Sequence, residues 1–265
     1  MLCAYARWCC AGLAGRQPRL RVADGVELKY WLNFSEYWTY RKTTRQAQFA
    51  FARKMFTRQD AGSTAIDVGS NIGVFSCVLA SLGAGAVHCF EPVPETFCRL
   101  RKNVLANGMA DRCTLNCLAV GSESGTTQLT VSQNSPATNR IKGGTESAQI
   151  GSNFGVGVTT LDEYCSCKQI ANVQFLKIDV EGAEPLVLRG ARRLLLGKKV
   201  NSVLLEVCPA NLNALGFRAQ DLWNEIQSVN YVAHQLAENG STGPAMTPAD
   251  FFAVTLNDVA LLPAR

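Results

Sequence analysis

From Thr64 onward, short apolar runs alternate along the chain with amphipathic segments of helical periodicity. The runs that read as buried strands are Thr64–Val68, Ala86–Phe90, Cys113–Val120, Val173–Asp179, Val200–Val207, Tyr231–Leu236 and Phe251–Leu256. Strands that alternate with helices form a mainly parallel sheet with helices on both faces, and right-handed crossovers favour a doubly wound order. The pattern therefore predicts an α/β fold with a doubly wound, mainly parallel seven-stranded sheet.

The first part of the chain has a different pattern, and we treat residues 1–63 as an N-terminal extension of a domain spanning 64–265. Two apolar runs around Ala23-Asp24-Gly25 predict a small hairpin, and a helix is expected from Ser35 to about Arg58. Six aromatic residues fall within Tyr30–Tyr40. They either pack the extension against the domain or form a lid over a substrate.

The segment Ser132–Gly157 interrupts the alternation because it is polar and rich in glycine. A stretch of this length without secondary structure is either a functional loop or disordered. Both readings stay open at this stage. The short apolar run Thr127–Val131 just before it is a candidate for one additional strand.

Composition excludes several classes of protein. The 26 Lys and Arg against 21 Asp and Glu give a mild net charge of +5. The sequence has no block of basic residues of the kind that binds a nucleic-acid backbone. No apolar run reaches the 18 residues or so of a membrane span. The 11 cysteines include no C-x-x-C pair and accompany only two histidines, too few for an ordinary zinc site. We expect Cys77, Cys89 and Cys98 to pack as small hydrophobic residues.

The basic N-terminus bears on location. Arg7, Arg16, Arg19 and Arg21 precede the first acid, Asp24, as in an organelle transit peptide or in a plain N-terminal extension. With reduced cysteines, the chain is expected to be cytoplasmic, and organelle targeting is the alternative. The oligomeric state is left open.

The first strand leads into a glycine turn, Asp67-Val68-Gly69-Ser70-Asn71-Ile72-Gly73. Its G-x-x-x-G spacing does not match the G-x-G-x-x-G dinucleotide fingerprint. Asp67 would repel a pyrophosphate but suits a ligand that carries an ammonium or sulfonium group. Gly69 and Gly73 permit close approach of the backbone to a ligand, and amides after Asn71 could bind the ligand's carboxylate.

Further acids follow at the carboxyl ends of other strands, where ligands bind in open parallel sheets. Glu91, which is 24 positions after Asp67, ends the second strand and suits a ribose diol. Asp179 and Glu181 end the strand that contains Lys177, and alternation places Lys177 and Asp179 on one side of it. Glu206 ends the next strand. Glu184 suits the dipole of the helix that follows.

These motifs resemble the FkbM family of methyltransferases in order and spacing. The resemblance covers about Thr64 to Glu206, and its most specific part is the run Lys177-Ile178-Asp179-Val180-Glu181-Gly182. It implies a Rossmann-like fold, S-adenosyl-L-methionine as cofactor, and methyl transfer to a hydroxyl oxygen of a sugar, glycan or polyketide-like small molecule.

The resemblance also implies roles for the residues of the predicted site. The residues implied in cofactor binding are Asp67, Gly69, Ser70, Asn71, Gly73, Glu91, Pro92, Leu118, Ala119 and Asp179. Those implied in catalysis are Asp179, Glu181 and Glu206, with Asp179 or Glu181 as general base and Glu206 orienting the acceptor. Three acids could also hold Mg²⁺, but the sequence has no ligand pattern for it, and we predict no metal.

Two other functions compete with this one. A nicotinamide-dependent oxidoreductase on a similar sheet would be expected to carry the G-x-G-x-x-G pattern, which is missing. A catalytically silent nucleotide-binding module would be favoured by loss of Asp67 and Glu91, and both are present. The expected partners are a small-molecule or glycan acceptor, without nucleic acid or a membrane span.

Overall fold

The structure is a computed structural model, and it describes residues 19–23, 26–29, 46–56, 62–132, 140–141 and 151–264. The strands are β1 Arg19–Ala23, β2 Val26–Lys29, β3 Thr64–Val68, β4 Ala86–Phe90, β5 Cys113–Asn116, β6 Ala119–Val120, β7 Gly125–Ser132, β8 Arg140–Ile141, β9 Gly151–Thr159, β10 Phe175–Ile178, β11 Val203–Val207, β12 Tyr231–Leu236, β13 Thr242–Ala245 and β14 Asn257–Pro263. The helices are α1 Gln46–Met55, α2 Val74–Ser81, α3 Pro94–Ala106, α4 Leu161–Cys167, α5 Glu184–Gly190, α6 Arg192–Leu196, α7 Pro209–Ala214, α8 Ala219–Ser228 and α9 Pro248–Phe252.

The central sheet has the strand order β13-β12-β14-β11-β10-β3-β4-β5. Strands β11, β10, β3, β4 and β5 are parallel neighbours, and β14 runs antiparallel between β11 and β12. The α/β fold with a mainly parallel sheet is thus confirmed, with eight strands in place of seven. The chain winds from β3 to β5 on one side and continues from β10 on the other. This places the switch of direction at β3 and β10, where such sheets bind ligands.

The first helix of the extension is built into the core. Phe51 and Ala52 are fully buried, and the Phe51 ring lies 5.7 Å from that of Phe175. A Cβ at Gly240 would lie 2.3 Å from the backbone of Ala50, so the turn between β12 and β13 rests directly on α1. Burial of a Phe side chain contributes about 2–3 kcal/mol, which is enough to hold α1 against the sheet.

The remaining expectations for the extension are tested only in part. The predicted hairpin is present, because β1 and β2 pair antiparallel. Of the helix predicted from Ser35 to about Arg58, the described part is Gln46–Met55. The aromatic segment Tyr30–Tyr40 lies outside the described residues, so its role as packing or lid stays a prediction.

Two strand predictions are wrong. The run Cys113–Val120 forms two strands in different sheets, because the chain turns after Asn116 and β6 pairs with β9. The run Phe251–Leu256 begins at the end of α9, continues in residues that belong to neither a helix nor a strand, and ends before β14 starts at Asn257. Thr247 and Asp250 form a reciprocal capping box that starts α9, and these local hydrogen bonds override the strand pattern.

The glycine-rich segment is also partly structured. Its end, Gly151–Gly157, belongs to β9, which pairs antiparallel with β7 along eight residue pairs. Neither a loop nor disorder describes this part, and backbone hydrogen bonds to β7 explain why glycines are tolerated there. Strands β6 and β8 complete a second, four-stranded sheet. Residues 133–139 and 142–150 lie outside the described residues.

The expectation that the cysteines pack as small hydrophobic residues is confirmed for two of the three named. Cys77 and Cys89 are buried free thiols, whereas Cys98 is exposed on α3 and was wrongly expected to pack inside. His88 is buried in β4, with Nδ1 lying 2.9 Å from the Tyr164 hydroxyl oxygen. None of the helices in the described ranges has the length and hydropathy that crossing a bilayer requires.

Candidate active site

The turn after β3 is shaped by contact between two chain segments. Gly69 has φ +77°, and its amide and that of Ser70 donate to the carbonyl of Phe90 at 3.0 and 2.9 Å. A Cβ at Gly69 would lie 1.8 Å from the carbonyl oxygen of Asp179. Glycine is therefore required here so that the ends of β3 and β10 can meet. The close approach predicted for a ligand is occupied by the protein's own backbone.

Ser70 and Gly73 also contact protein at this turn. The buried Ser70 hydroxyl donates to the Asp67 carbonyl at 2.8 Å and accepts from the Phe90 amide at 3.1 Å, which ties β3 to β4. A Cβ at Gly73, which has φ +87°, would lie 2.5 Å from a methyl carbon of Leu100. These contacts fix the turn, and a ligand would meet its outer backbone.

A buried lysine connects the acids below the turn. The Nζ atom of Lys177 lies 3.3 Å from Asp67 Oδ1 and 3.2 Å from Asp179 Oδ2, and it donates to the Gly69 carbonyl at 3.0 Å. Asp67 is fully buried and also accepts from the Ser76 hydroxyl at 2.5 Å. Asp67 therefore supports the turn from beneath. The sequence analysis placed Lys177 on the same side of the strand as Asp179 but assigned it no role. The alternation of side chains along the strand was the signal that could have indicated an ion pair between them.

Glu91 joins the glycine turn to the segment after β4. Its carboxylate accepts from the amides of Asn71 at 3.0 Å and Val93 at 2.9 Å. Burial raises the pKa of Glu91 to about 7, although the two hydrogen bonds act in the opposite direction and lower it. The carboxyl group thus lies at the edge of the turn, and its contact with a ribose stays a prediction.

Leu118 and Ala119, which the resemblance implies in cofactor binding, follow a segment that contacts Glu91 and Pro92. The Glu91 amide donates to the Asn116 carbonyl at 3.1 Å, and the Cys117 thiol lies 3.8 Å from the Pro92 carbonyl oxygen. Leu118 is half-buried and Ala119 is buried, and both follow directly after this contact. Pro92 and this connection between β5 and β6 therefore flank Glu91.

Three carboxyl groups converge on the other side of the turn. One oxygen each from Asp179, Glu181 and Glu206 lies within 4.8 Å of the other two, and all three residues are half-buried. Desolvation, followed by the neighbouring charges of Asp179 and Glu181, raises the pKa of Glu206 to about 9. Glu206 therefore keeps its proton at neutral pH. It can donate to Asp179 but cannot act as a base there.

Such a group of carboxylates has the oxygen ligands that Mg²⁺ prefers. The three acids are the candidate ligands for a cation among the described residues. The proton kept on Glu206 lowers the negative charge that a cation would meet. The expectation of no metal stays a prediction.

Two residues that the sequence did not assign to the site hold the turn after β10. Glu184 is buried, and one of its oxygens accepts from the amides of Val180 at 3.2 Å and Gly182 at 3.1 Å. Burial raises its pKa to about 7. Asn211 of α7 donates from Nδ2 to Glu181 Oε2 at 2.5 Å. No local pattern indicates Asn211, because the contact joins residues 30 positions apart.

The sequence profile of the methyltransferase FkbM domain matches residues 67–233, more than half of the chain. The chain belongs to the FkbM methyltransferase family. The match starts at Asp67 and includes the glycine turn, Glu91, Lys177 and the three clustered acids. The resemblance inferred from the motifs is thereby confirmed.

Two relatives have sequences similar to more than half of this chain. The hexuronic acid methyltransferase AglP of Haloferax volcanii is 26% identical over 195 residues, which cover 72% of this chain and 75% of that protein. The 31-O-demethyl-FK506 methyltransferase FkbM of Streptomyces tacrolimicus is 28% identical over 181 residues, which cover 55% of this chain and 68% of that protein. An rRNA methylase from Streptococcus thermophilus has a similar structure, with 10% identity and a TM-score of 0.47 over 82% of this chain and 95% of its own.

The ion pairs of Lys177 predict a large loss of stability on its removal. Lys177→Met leaves Asp67 charged in the interior, so we expect the free energy of unfolding at neutral pH to fall by about 3–5 kcal/mol. Urea denaturation measures this. Lys199→Met, which alters an exposed lysine, should change it by less than about 0.5 kcal/mol. Equal losses in the two variants would show that Lys177 does not support the site.

The proton held by Glu206 predicts a pH dependence of stability. Its pKa is raised from 4.5 to about 9, so within this window the folded chain binds more protons than the unfolded chain, and stability falls as pH rises. Gln cannot titrate and still offers a donor to Asp179. Glu206→Gln should therefore gain stability relative to the wild type between about pH 5 and about pH 8 in urea denaturation. Glu91 and Glu184 leave a residual slope in both proteins.

The matched control for this series is Glu95→Gln, because Glu95 is an exposed carboxylate of α3. It should retain the wild-type dependence on pH. A Glu206→Gln profile parallel to that of the wild type would contradict the assigned protonation state.

Proposed function

We propose that the chain transfers a methyl group from S-adenosyl-L-methionine to a hydroxyl oxygen of a sugar, glycan or polyketide-like small molecule. The observation that carries the proposal is the cluster of Asp179, Glu181 and Glu206 beside the glycine turn, with Glu91 on the opposite side. Family membership supports methyl transfer. The acidic groups support the finer assignment, because they suit both a cationic donor and a hydroxyl acceptor.

The residues present fit this cofactor by the chemistry of their side chains. Glu91 offers carboxylate oxygens to a ribose diol, with Pro92 next to it, and Leu118 and Ala119 offer an apolar surface to an adenine. Asp179 is an acid that suits a sulfonium, and Asn71 would lie near the methionine end, above Asp67. S-adenosyl-L-methionine, when bound, supplies an activated methyl group that needs no further driving force.

Glu181 is the proposed general base. A sugar hydroxyl is a weak nucleophile until its proton is accepted, and a positioned carboxylate does this. Asp179 is held by Lys177 at 3.2 Å, and Glu206 keeps its own proton at neutral pH. With the cofactor bound, Glu181 would take the hydroxyl proton while the methyl group exchanges its bond to sulfur for a bond to the acceptor oxygen, which leaves S-adenosylhomocysteine. Glu181 would then release the proton to solvent from its half-buried position. Glu206 helps to orient the acceptor.

The relatives indicate which class of acceptor to expect. One is a hexuronic acid methyltransferase and the other a 31-O-demethyl-FK506 methyltransferase, so the names of these relatives give a sugar acid and a polyketide as substrates. We propose an acceptor of this range for the present chain. Alignment of the acceptor oxygen with the methyl group contributes several kcal/mol to such a reaction.

The competing functions make different binding predictions. A nicotinamide oxidoreductase would bind NADH and would not bind S-adenosylhomocysteine, the demethylated product of the cofactor. A catalytically silent module would bind S-adenosylhomocysteine but transfer no methyl group. The family assignment and the absence of G-x-G-x-x-G in the sequence both disfavour the oxidoreductase.

The position of Glu91 predicts its effect on cofactor affinity. Glu91→Ala removes the proposed ribose ligand, so S-adenosylhomocysteine should bind about tenfold to a hundredfold more weakly in calorimetry. Glu95→Ala removes an exposed carboxylate four residues later and should bind like the wild type. Unchanged affinity of a folded Glu91→Ala variant would remove Glu91 from the cofactor site.

The role of Glu181 predicts that binding and turnover separate. Glu181→Gln keeps the shape of the side chain but cannot accept the proton, so S-adenosylhomocysteine affinity should be retained while turnover falls by about 10²–10⁴-fold. The assay is transfer of labelled methyl groups to a panel of glycosides that includes a hexuronic acid glycoside, and to a polyketide extract. Full turnover of Glu181→Gln would show that another group is the base. No transfer by the wild type would favour the silent module.

A further inference from the structure

Glu181 sits in a backbone conformation that needs support from its surroundings. Its φ of +55° is in the left-handed region, which is uncommon for residues other than glycine. Gly182 follows with φ +107°, and a Cβ there would lie 2.3 Å from the carbonyl oxygen of Asn211. The turn after β10 is therefore pressed against α7, while Glu184 binds its amides from the inside.

The Glu181 side chain is held from α7. Asn211 Nδ2 donates to Glu181 Oε2 at 2.5 Å. A hydrogen bond from an amide to a carboxylate oxygen is short and strong, and it fixes the direction in which that carboxylate points. The next residue, Leu212, is fully buried in the main core, so the position of Asn211 is fixed by packing.

Two further carboxyl groups lie close to that of Glu181 among the described residues. Asp179 follows β10 and Glu206 lies in β11, and their carboxyl oxygens are within 4.8 Å of a Glu181 oxygen. Asp258 of β14 is close enough to Glu206 to raise its pKa. Lys177 is the buried cation on this side, and it binds Asp179 and Asp67. Among these neighbours, Asn211 donates a hydrogen bond to the Glu181 carboxylate.

We propose that Asn211 is a positioning residue that orients the Glu181 carboxylate for proton abstraction from the acceptor. The proposal rests on the function proposed above and extends the active site to α7. Asn211 acts through Glu181, so its loss should lower the rate of the chemical step and leave cofactor binding intact. A role in packing alone would instead depend on the shape of the side chain.

Two substitutions separate these roles. Asn211→Ala removes both the amide and its volume. Asn211→Asp keeps the shape but replaces the donor by a carboxylate, which repels Glu181. If Asn211 only filled space, Asn211→Asp, which keeps that volume, would retain more activity than Asn211→Ala. Asn213→Ala is the control, because Asn213 is an exposed asparagine of the same helix.

The experiment measures labelled methyl transfer to the glycoside that the wild type methylates best in the panel, together with calorimetric binding of S-adenosylhomocysteine. Asn211→Ala and Asn211→Asp should each lower kcat by about ten- to a hundredfold. The KM for the glycoside and the affinity for S-adenosylhomocysteine should stay within about twofold of the wild type. Asn213→Ala should match the wild type throughout.

The outcomes identify which proposal fails. If the wild type transfers methyl groups and Asn211→Asp retains its kcat, the positioning role is wrong and the proposed function stands. If both Asn211 variants lose cofactor affinity in step with kcat, Asn211 supports the fold of the site and not Glu181. If the folded wild type methylates no acceptor, the proposed function fails, and the role of Asn211 fails with it.

Discussion

The site depends on one buried ammonium group. Lys177 lies between Asp67 and Asp179, at 3.3 and 3.2 Å, and binds the Gly69 carbonyl at 3.0 Å. Without a cation, the two carboxylates on neighbouring strand ends would repel each other in a medium of low dielectric constant. The missing side chain of Gly69 lets the carbonyl of Asp179 approach the turn, so one contact fixes both halves of the switch point.

The acids around the contacts of Lys177 differ in protonation state. Burial raises the pKa values of Glu91 and Glu184 to about 7, and that of Glu206 to about 9. Glu206 thus keeps its proton at neutral pH, whereas Glu91 and Glu184 are partly ionised there. Asp67 and Asp179 are paired with Lys177. Such a mixture can bind a cationic donor and accept a proton without gathering full negative charge at one place, but it makes the folded state sensitive to pH.

The sequence predicted those features that local patterns encode. The bounds of β3, β4 and β12 agree with the predicted strands, and the acids were correctly expected at the carboxyl ends of strands. The resemblance to the FkbM family rested on the same motifs and is confirmed by the match over residues 67–233. Non-local contacts account for what the patterns did not show. Strand β9 exists because glycine-rich residues pair with β7, and Gly69 faces Asp179 across more than a hundred positions. The contact of Asn211 with Glu181 likewise depends on how α7 packs.

The most direct test of this account is a crystal structure of the chain with S-adenosylhomocysteine. The account predicts the ribose hydroxyls within hydrogen-bond distance of Glu91, the adenine beside Leu118, and the sulfur facing Asp179 and Glu181. Density for the ligand away from the carboxyl ends of β3 and β4, with Glu91 making no contact to it, would contradict the proposal that the cofactor binds at this turn.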